Sequence, residues 1–319
     1  LNVKNVGVRA LYSSATLIFL KALTPVHVGT GREEALHVDL PVQRDEFGFP
    51  TIWASSLKGA IKANIRDEKI KIGNEEISFR KLLGSDPGEL ETTPSHIAFL
   101  DAKLLLIPAR SLDNVWIYVT TPHLLEYLNI YLSIFNEITG SNLSLDLSHI
   151  INYVSQGVAI TSRVSEKSAP GSNVKIIVNE TEIQAVYDPD IVKKIKLDAV
   201  LQGVAKDVLD DVASHGIVIV PDKDDRGLAI IRRSMMMQYR VRLKRETKTV
   251  DTGPWSEEYL PLKTVLVSVA LCRDAQGKSG EKVLAKDLCK KLRDMFSNKS
   301  IYVGGKETIG RGLVKIYMR

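Results

Sequence analysis

The chain has 319 residues, 44% of them hydrophobic and 25% charged, with a formal net charge of +5 and a pI near 9.0. That length and balance suit a folded globular protein, as one elaborate domain or two simple ones, and exclude a disordered or fibrous chain. The longest apolar runs, Ala15 to Leu20 and Gly216 to Val220, fall far short of the roughly 20 residues a helix needs to cross a bilayer, so a cytoplasmic protein with no membrane association is expected.

Ser14 to Val28 is rich in β-formers and predicts a strand that ends at Thr24-Pro25, because proline cannot donate to a central ladder. A glycine turn, VGTGRE, follows. In "HVDLPVQR", His37 to Arg44, a carboxylate, Asp39, stands among Leu36, Val38, Leu40 and Val42. "SSLKGAIKANI" then offers Ser55 or Ser56 as a helix N-cap before Leu57, Ala60, Ile61 and Ile65 at helical spacing. From Asp67 to Pro94 the chain is charged and broken by Gly73, Gly84, Pro87 and Gly88, which predicts an insertion with one short helix around Ile77 to Leu83.

Ile97 to Pro108 and Val115 to Thr121 predict two strands, and "HLLEYLNIYLSIFNEI" an amphipathic helix of about four turns. The segment SAPGSN is a turn, Ile191 to Ala213 a helix, and GIVIVPD a buried strand. "YRVRLKRETKTVDTGPWSEEYLP" alternates from Tyr239, turns at Glu246 to Lys248 and reads as a long hairpin whose alternation ends at Pro254. "TVLVSVALC" is a strand, "EKVLAKDLCKKLRDMF" a helix, and "SIYVGGKETIGRGLVKIYMR" a strand, a glycine loop and a strand. Short connections between neighbouring strands favour an α+β fold over a doubly wound parallel sheet. Cys272 and Cys289, the only cysteines, have neither metal-ligand spacing nor a disulfide framework, which points to a reducing compartment.

Three segments carry the features of anion binding. "GGKETIGRG" supplies Gly304, Gly305 and Gly310, whose backbone N–H groups can approach phosphate closely, with Lys306 and Arg311 beside them. It is neither a P-loop nor a dinucleotide fingerprint, which counts against a free-standing nucleotide-using enzyme. Ser55, Ser56 and Lys58 lie at a helix start, where dipole and free N–H groups favour an anion. The hairpin carries Arg240, Arg242, Lys244, Arg245 and Lys248, a basic finger suited to an acidic polymer. Aromatics are only 6% of residues, so bound nucleic acid would be held by its backbone more than by base stacking. His27, Glu33, Glu34, His37 and Asp39 cluster around the first glycine loop, with His37 and Asp39 on one face of an extended segment. The six histidines form no ligand motif.

Taken together, "TPVHVGTG", "VDLPVQRDEFGFPTIWASSLKG", "TVDTGPWSEEYLP" and "GGKETIGRG" resemble, in order and over most of the chain, the RAMP superfamily of CRISPR proteins. The likeness is closest to the backbone subunits of type III-B, or Cmr, effector complexes. It implies a ferredoxin-like palm of the RNA-recognition type, with helical insertions and a β-hairpin thumb. In these terms residues 1–319 form one RAMP domain, with an insertion-rich region at 67–195, the thumb at 239–260, and the glycine loop and last strand at 301–319. The resemblance also implies CRISPR RNA, target RNA, further copies of the chain and other Cmr subunits as partners, and cleavage of target RNA beside each thumb. Asp39 matches the family's catalytic aspartate, which would orient a divalent ion (Mg or Mn) or take a proton from the attacking 2'-hydroxyl. His27, Glu257 and Tyr259 match its auxiliary catalytic positions. Ser55, Ser56, Lys58, Arg240, Arg242, Gly304, Gly305, Lys306, Gly310 and Arg311 are the expected RNA contacts. A one-residue slip would exchange Glu258 for Glu257, because it reverses the face. A non-catalytic RNA-holding subunit of the same superfamily, with Asp39 structural, is the alternative expectation.

Overall fold

A computed structural model of the chain describes residues 11–32, 38–72, 75–86, 88–89, 92–164, 167–276 and 281–319. Four antiparallel strands make its centre: β1 (Ser14–Ala22), β2 (Ala102–Ser111), β10 (Val265–Cys272) and β12 (Leu313–Met318), in the spatial order β12-β1-β10-β2. Helix α1 (Ala54–Ala63) lies between β1 and β2 in the chain, and α8 (Ala285–Phe296) between β10 and β12. Numbered along the chain the four strands run 4-1-3-2, the split β-α-β arrangement of a ferredoxin-like palm. β11 (Lys299–Tyr302) extends the β12 edge.

β1 and β10 are apolar almost throughout because both faces of this sheet are covered. Ile18, Leu20, Leu266 and Ala270 pack on one face with Leu57 and Ile61 of α1 and Leu288 and Leu292 of α8. Leu17, Phe19, Val267 and Val269 pack on the other with Leu125, Leu128 and Leu132 of α2 (Pro122–Thr139). Thr121 caps α2, accepting the N–H of Leu124 at 3.3 Å, Pro122 opens it, and Gly140 in the left-handed region closes it.

Beyond β2 the sheet continues through β3 (Val115–Thr120), β7 (Ile217–Ile219), β4 (Ala159–Thr161), β6 (Thr181–Tyr187) and β5 (Asn173–Val178), and β5 returns to β2 at Ser111 and Val178. The circuit closes into a ring around Ile107, Val119, Ala159, Val178, Ala185 and Val218, with Ile230 and Ile231 of α7 (Arg226–Ser234) in the same core. β2, shared by ring and palm, comes from within 67–195, so that region is not all addition. Among the described residues no helix is long and apolar enough to cross a membrane.

The remaining pair, β8 (Met236–Leu243) and β9 (Val250–Tyr259), forms a separate two-stranded hairpin. β9 does not end at Pro254: the ladder slips between Arg240 and Arg242, and Pro254 falls in that irregularity, where no ladder donor is required. Three other expectations are corrected. Around Ile77 to Leu83 the chain forms a strand, Glu75–Ser78, paired with Lys69–Ile72, and only a single 3-10 turn at Lys81–Leu83. The long helix from Ile191 is three pieces, broken at Lys196 and Gly203, both with positive φ. Cys272 and Cys289 are joined in a disulfide, because α8 packs back on β10 and brings their Cα atoms to 6.0 Å.

Candidate active site and nucleic-acid interface

Strand β9 emerges from the exposed hairpin and enters the body of the protein at Ser256, from which point every residue to Leu260 is buried. The segment 38–44 runs beside this base as a short parallel partner: Leu40 donates its N–H to the Ser256 carbonyl at 3.1 Å, and Glu258 donates to the Leu40 carbonyl at 3.0 Å. Of the apolar residues that flank Asp39, Val38 and Val42 are buried and Leu40 is half-buried. Glu33, Glu34, Leu36 and His37 lie outside the described residues.

Of three successive β9 side chains, the first and third fasten the 38–44 segment and the middle one faces the glycine loop. The Ser256 main-chain N–H and hydroxyl both donate to Oδ2 of Asp39, at 2.7 and 2.8 Å, and the same hydroxyl accepts the Asp39 N–H at 2.9 Å. Glu257, pointing the other way, meets Lys306 of the glycine loop, the Tyr259 hydroxyl, the Trp255 indole N–H at 2.7 Å and Arg240 at 3.6 Å. Glu258 pairs with Arg44 at 2.5 Å and accepts the Val42 N–H at 3.1 Å. The alternation therefore keeps Glu257 and Glu258 in separate roles, Glu257 toward the cations and Glu258 toward the 42–44 segment.

The electrostatics follow from these partners. The two Ser256 bonds hold the half-buried Asp39 carboxyl below the usual carboxylate range, so it is ionised at neutral pH. Its Oδ1 accepts no hydrogen bond from any described residue. Burial pushes Glu257 up, but Lys306, Tyr259 and Trp255 more than offset it and bring it to about 2. Tyr259, fully buried, is raised by burial and by its bond to Glu257. Arg311 lies over its ring at 5.2 Å and donates to Gln238 at 3.2 Å. His27, 7% exposed, donates from Nδ1 to the Glu258 carbonyl at 2.7 Å, and its ring stands 5.5 Å from that of Tyr259.

The glycine loop is seated on the same place. Gly305 donates its N–H to the His27 carbonyl at 2.9 Å, and a Cβ at Gly304, whose φ is +86°, would collide with that carbonyl. A cleft of about 610 Å³ opens beside it, lined by Gly304 and Gly305 on one wall and Ser56, Gly59 and Ala60 of α1 on the other. The sequence expectation that Ser55 or Ser56 is the N-cap of α1 is corrected: neither is. Trp53 holds that position, its N–H goes to the Gln43 side chain at 2.7 Å, and Asp101 accepts the Ala54 N–H at 2.7 Å. Gln43 also donates to Ser56 at 2.9 Å. Lys58, one turn on, makes no ion pair among the described residues. Gly310, at φ +74°, ends the single turn Glu307–Ile309 on the exposed side of the loop.

His27, Glu257, Tyr259, Lys306 and Arg311 are thus drawn together, with Arg240 at the edge, while Asp39 is held by Ser256 on the opposite face of the same β9 base. Ser56, Gly304 and Gly305 share the adjoining cleft, and Ser55 is exposed at the same helix start. Arg242 is set apart, paired with Asp251 on the hairpin at 2.7 Å. Ser256, Gln43 and Arg44 were missed from sequence: each looked like an ordinary polar strand or loop residue, and the partner that gives it a role lies far along the chain, apart from Gln43's neighbours in α1. No group of three His, Cys, Asp or Glu able to hold a metal occurs among the described residues. Both oxygens of Glu257 and of Glu258 are committed, whereas Asp39 Oδ1 is bonded by none of the described residues. A single carboxylate still suits Mg2+ or Mn2+, which keep several waters and draw other ligands from substrate phosphates.

A family model described as the RAMP superfamily matches residues 19–315. Over 96% of this chain and 96% of the relative, the sequence is 33% identical to the CRISPR system CMR subunit Cmr4 of Saccharolobus solfataricus. With the same coverage it is 30% identical to the CRISPR system Cmr endoribonuclease Cmr4 of Pyrococcus furiosus. Among solved structures, a chain of the type III-B Cmr-beta complex bound to cognate target RNA superposes with a TM-score of 0.69 at 30% identity, covering 97% of this chain and 98% of that one.

Proposed function

The chain belongs to the RAMP superfamily, and from that premise we propose that it is a backbone subunit of a type III-B Cmr effector complex that holds CRISPR RNA and cuts paired target RNA at Asp39. Its partners are the guide, the target, further copies of itself and other Cmr subunits. The observation that carries this reading is the convergence of four separated sequence blocks, around residues 27, 39, 256–259 and 304–311, at the base of an exposed basic hairpin. The name of the Pyrococcus furiosus relative, an endoribonuclease, and the target RNA in the Cmr-beta structure support it.

The guide backbone lies along the cleft between α1 and the glycine loop, where Ser56, Lys58 and the N–H groups of the loop meet phosphates. Asp39 presents Oδ1 to the target strand from a carboxylate that Ser256 keeps ionised and fixed. A divalent ion, Mg2+ or Mn2+, held by Asp39 with RNA phosphate oxygens, would supply charge neutralisation at the reacting phosphate. Glu257 and Tyr259 are buried and bonded to each other, and the buried His27 is bonded to the Glu258 carbonyl, so the three act by holding Lys306 and the β9 base in position. The test is Asp39→Asn in the complex assembled on guide RNA. Cleavage should fall by about a hundredfold or more while assembly and guide binding stay unchanged; a variant that cuts at the parental rate would refute a catalytic Asp39.

A further inference from the structure

Among the described residues Ser256 alone hydrogen-bonds the Asp39 carboxylate, through a main-chain donor and a hydroxyl that end on the same oxygen. The hydroxyl also takes the Asp39 N–H, so backbone and side chain of Asp39 are closed into one small ring of hydrogen bonds with a single β9 residue. Ser256 is 4% exposed and cannot touch RNA. It is flanked by the ladder contacts of Leu40, so its own position is set by the β9 base.

Resting on the reading that Asp39 is catalytic, we infer that Ser256 is the positioning residue of the reaction: it occupies Oδ2 and thereby selects the rotamer that leaves Oδ1 turned to the substrate. Without the hydroxyl, one main-chain bond remains and the carboxylate can rotate about χ2, offering either oxygen or neither. Because Ser256 stands where the exposed hairpin joins the body, the same contact links Asp39 to the hairpin. The hairpin is then part of the reaction geometry as well as a grip on RNA.

The experiment compares Ser256→Ala, Ser256→Thr, Asp39→Asn and the Ser256→Ala/Asp39→Asn double variant, each in the complex assembled on guide RNA. It measures target affinity and the single-turnover cleavage rate at saturating target. Ser256→Ala should lower the rate on the order of tenfold with target affinity unchanged, since positioning acts on the chemical step. Ser256→Thr, which returns the hydroxyl, should restore most of it. In the Asp39→Asn background the Ser256→Ala change should cost nothing further, because the group it positions is already disabled. The inference is overturned by an Ala variant at the parental rate, by a Thr variant as slow as Ala, or by an equal loss in both backgrounds, which would mark a general packing role. In each of those cases an inactive Asp39→Asn complex leaves the proposed function standing. An active one removes that function and this inference together.

Discussion

The hairpin has two ends with opposite character. From Val241 to Pro254 every residue is exposed, and the cations Lys244, Arg245 and Lys248 make no ion pair with any described residue. From Ser256 to Tyr259 every residue is buried and every polar side chain is bonded, two of them carboxylates in ion pairs. One continuous β9 therefore passes from a solvated grip to a fixed frame within a few residues. Affinity for a polyanion needs charge that can adapt to the phosphate path, whereas in-line chemistry needs groups that do not move. Under the proposed function, the sharp boundary would let one hairpin serve both.

The largest break in this contrast should come from Glu257→Ala. It leaves Lys306 and Arg240 without their buried partner, and removing one member of such a pair costs about 3–5 kcal/mol. Thermal unfolding should show the loss in the isolated protein, and an unchanged midpoint would mean that the base is not the frame described. Acid sharpens the same point. Glu257 titrates near 2 in the folded protein against an ordinary 4.5, so its contribution is complete above about pH 4.5 and is lost as the pH falls toward 2. Glu257→Gln should flatten that part of the stability profile, measured by denaturant midpoints from pH 5 to 2. A parental profile in the variant would assign the acid sensitivity elsewhere.

At the tip the expectation reverses. Replacing Lys244, Arg245 and Lys248 together by alanine should leave stability within about 0.5 kcal/mol. It should reduce the salt slope of RNA binding by up to about 2, at ~0.7 per lost contact to a single strand. A large drop in melting temperature would erase the distinction between the two ends. The smallest effect should be that of Lys58→Ala, one phosphate contact's worth of salt dependence, equal for all RNA sequences. A base preference in its loss would contradict backbone recognition.

How much of this was legible beforehand follows the range of the interactions. The helices and strands with local periodicity, such as α2 and β10, lie where the sequence places them. The glycine loop and the hairpin are likewise recognisable from their own residues. The cap of α1 was misassigned because local serines suggest capping, while the groups that satisfy the helix start come from Gln43 and from Asp101, a residue on another segment. Pro254 suggested the end of a strand because a central ladder would reject it, and only the register irregularity of a two-stranded ribbon accommodates it. Cys272 and Cys289 looked unrelated until α8 folded back on β10. Asp39 was visible as an odd carboxylate among apolar neighbours. That its geometry is set by Ser256, 217 residues away, was not.

The 4-1-3-2 order has a bearing on how the molecule is made. β1 is hydrogen-bonded on one side to β10 and on the other to β12, so Ile18 faces Ser268 and Met318. Both neighbours leave the ribosome long after β1 does. Until then a strand apolar on both faces has two open edges, the condition that most favours mispairing with another chain. The palm, with the frame that fixes Asp39, is thus acquired late in synthesis, and a nascent chain halted before Leu313 should remain open to protease across β1.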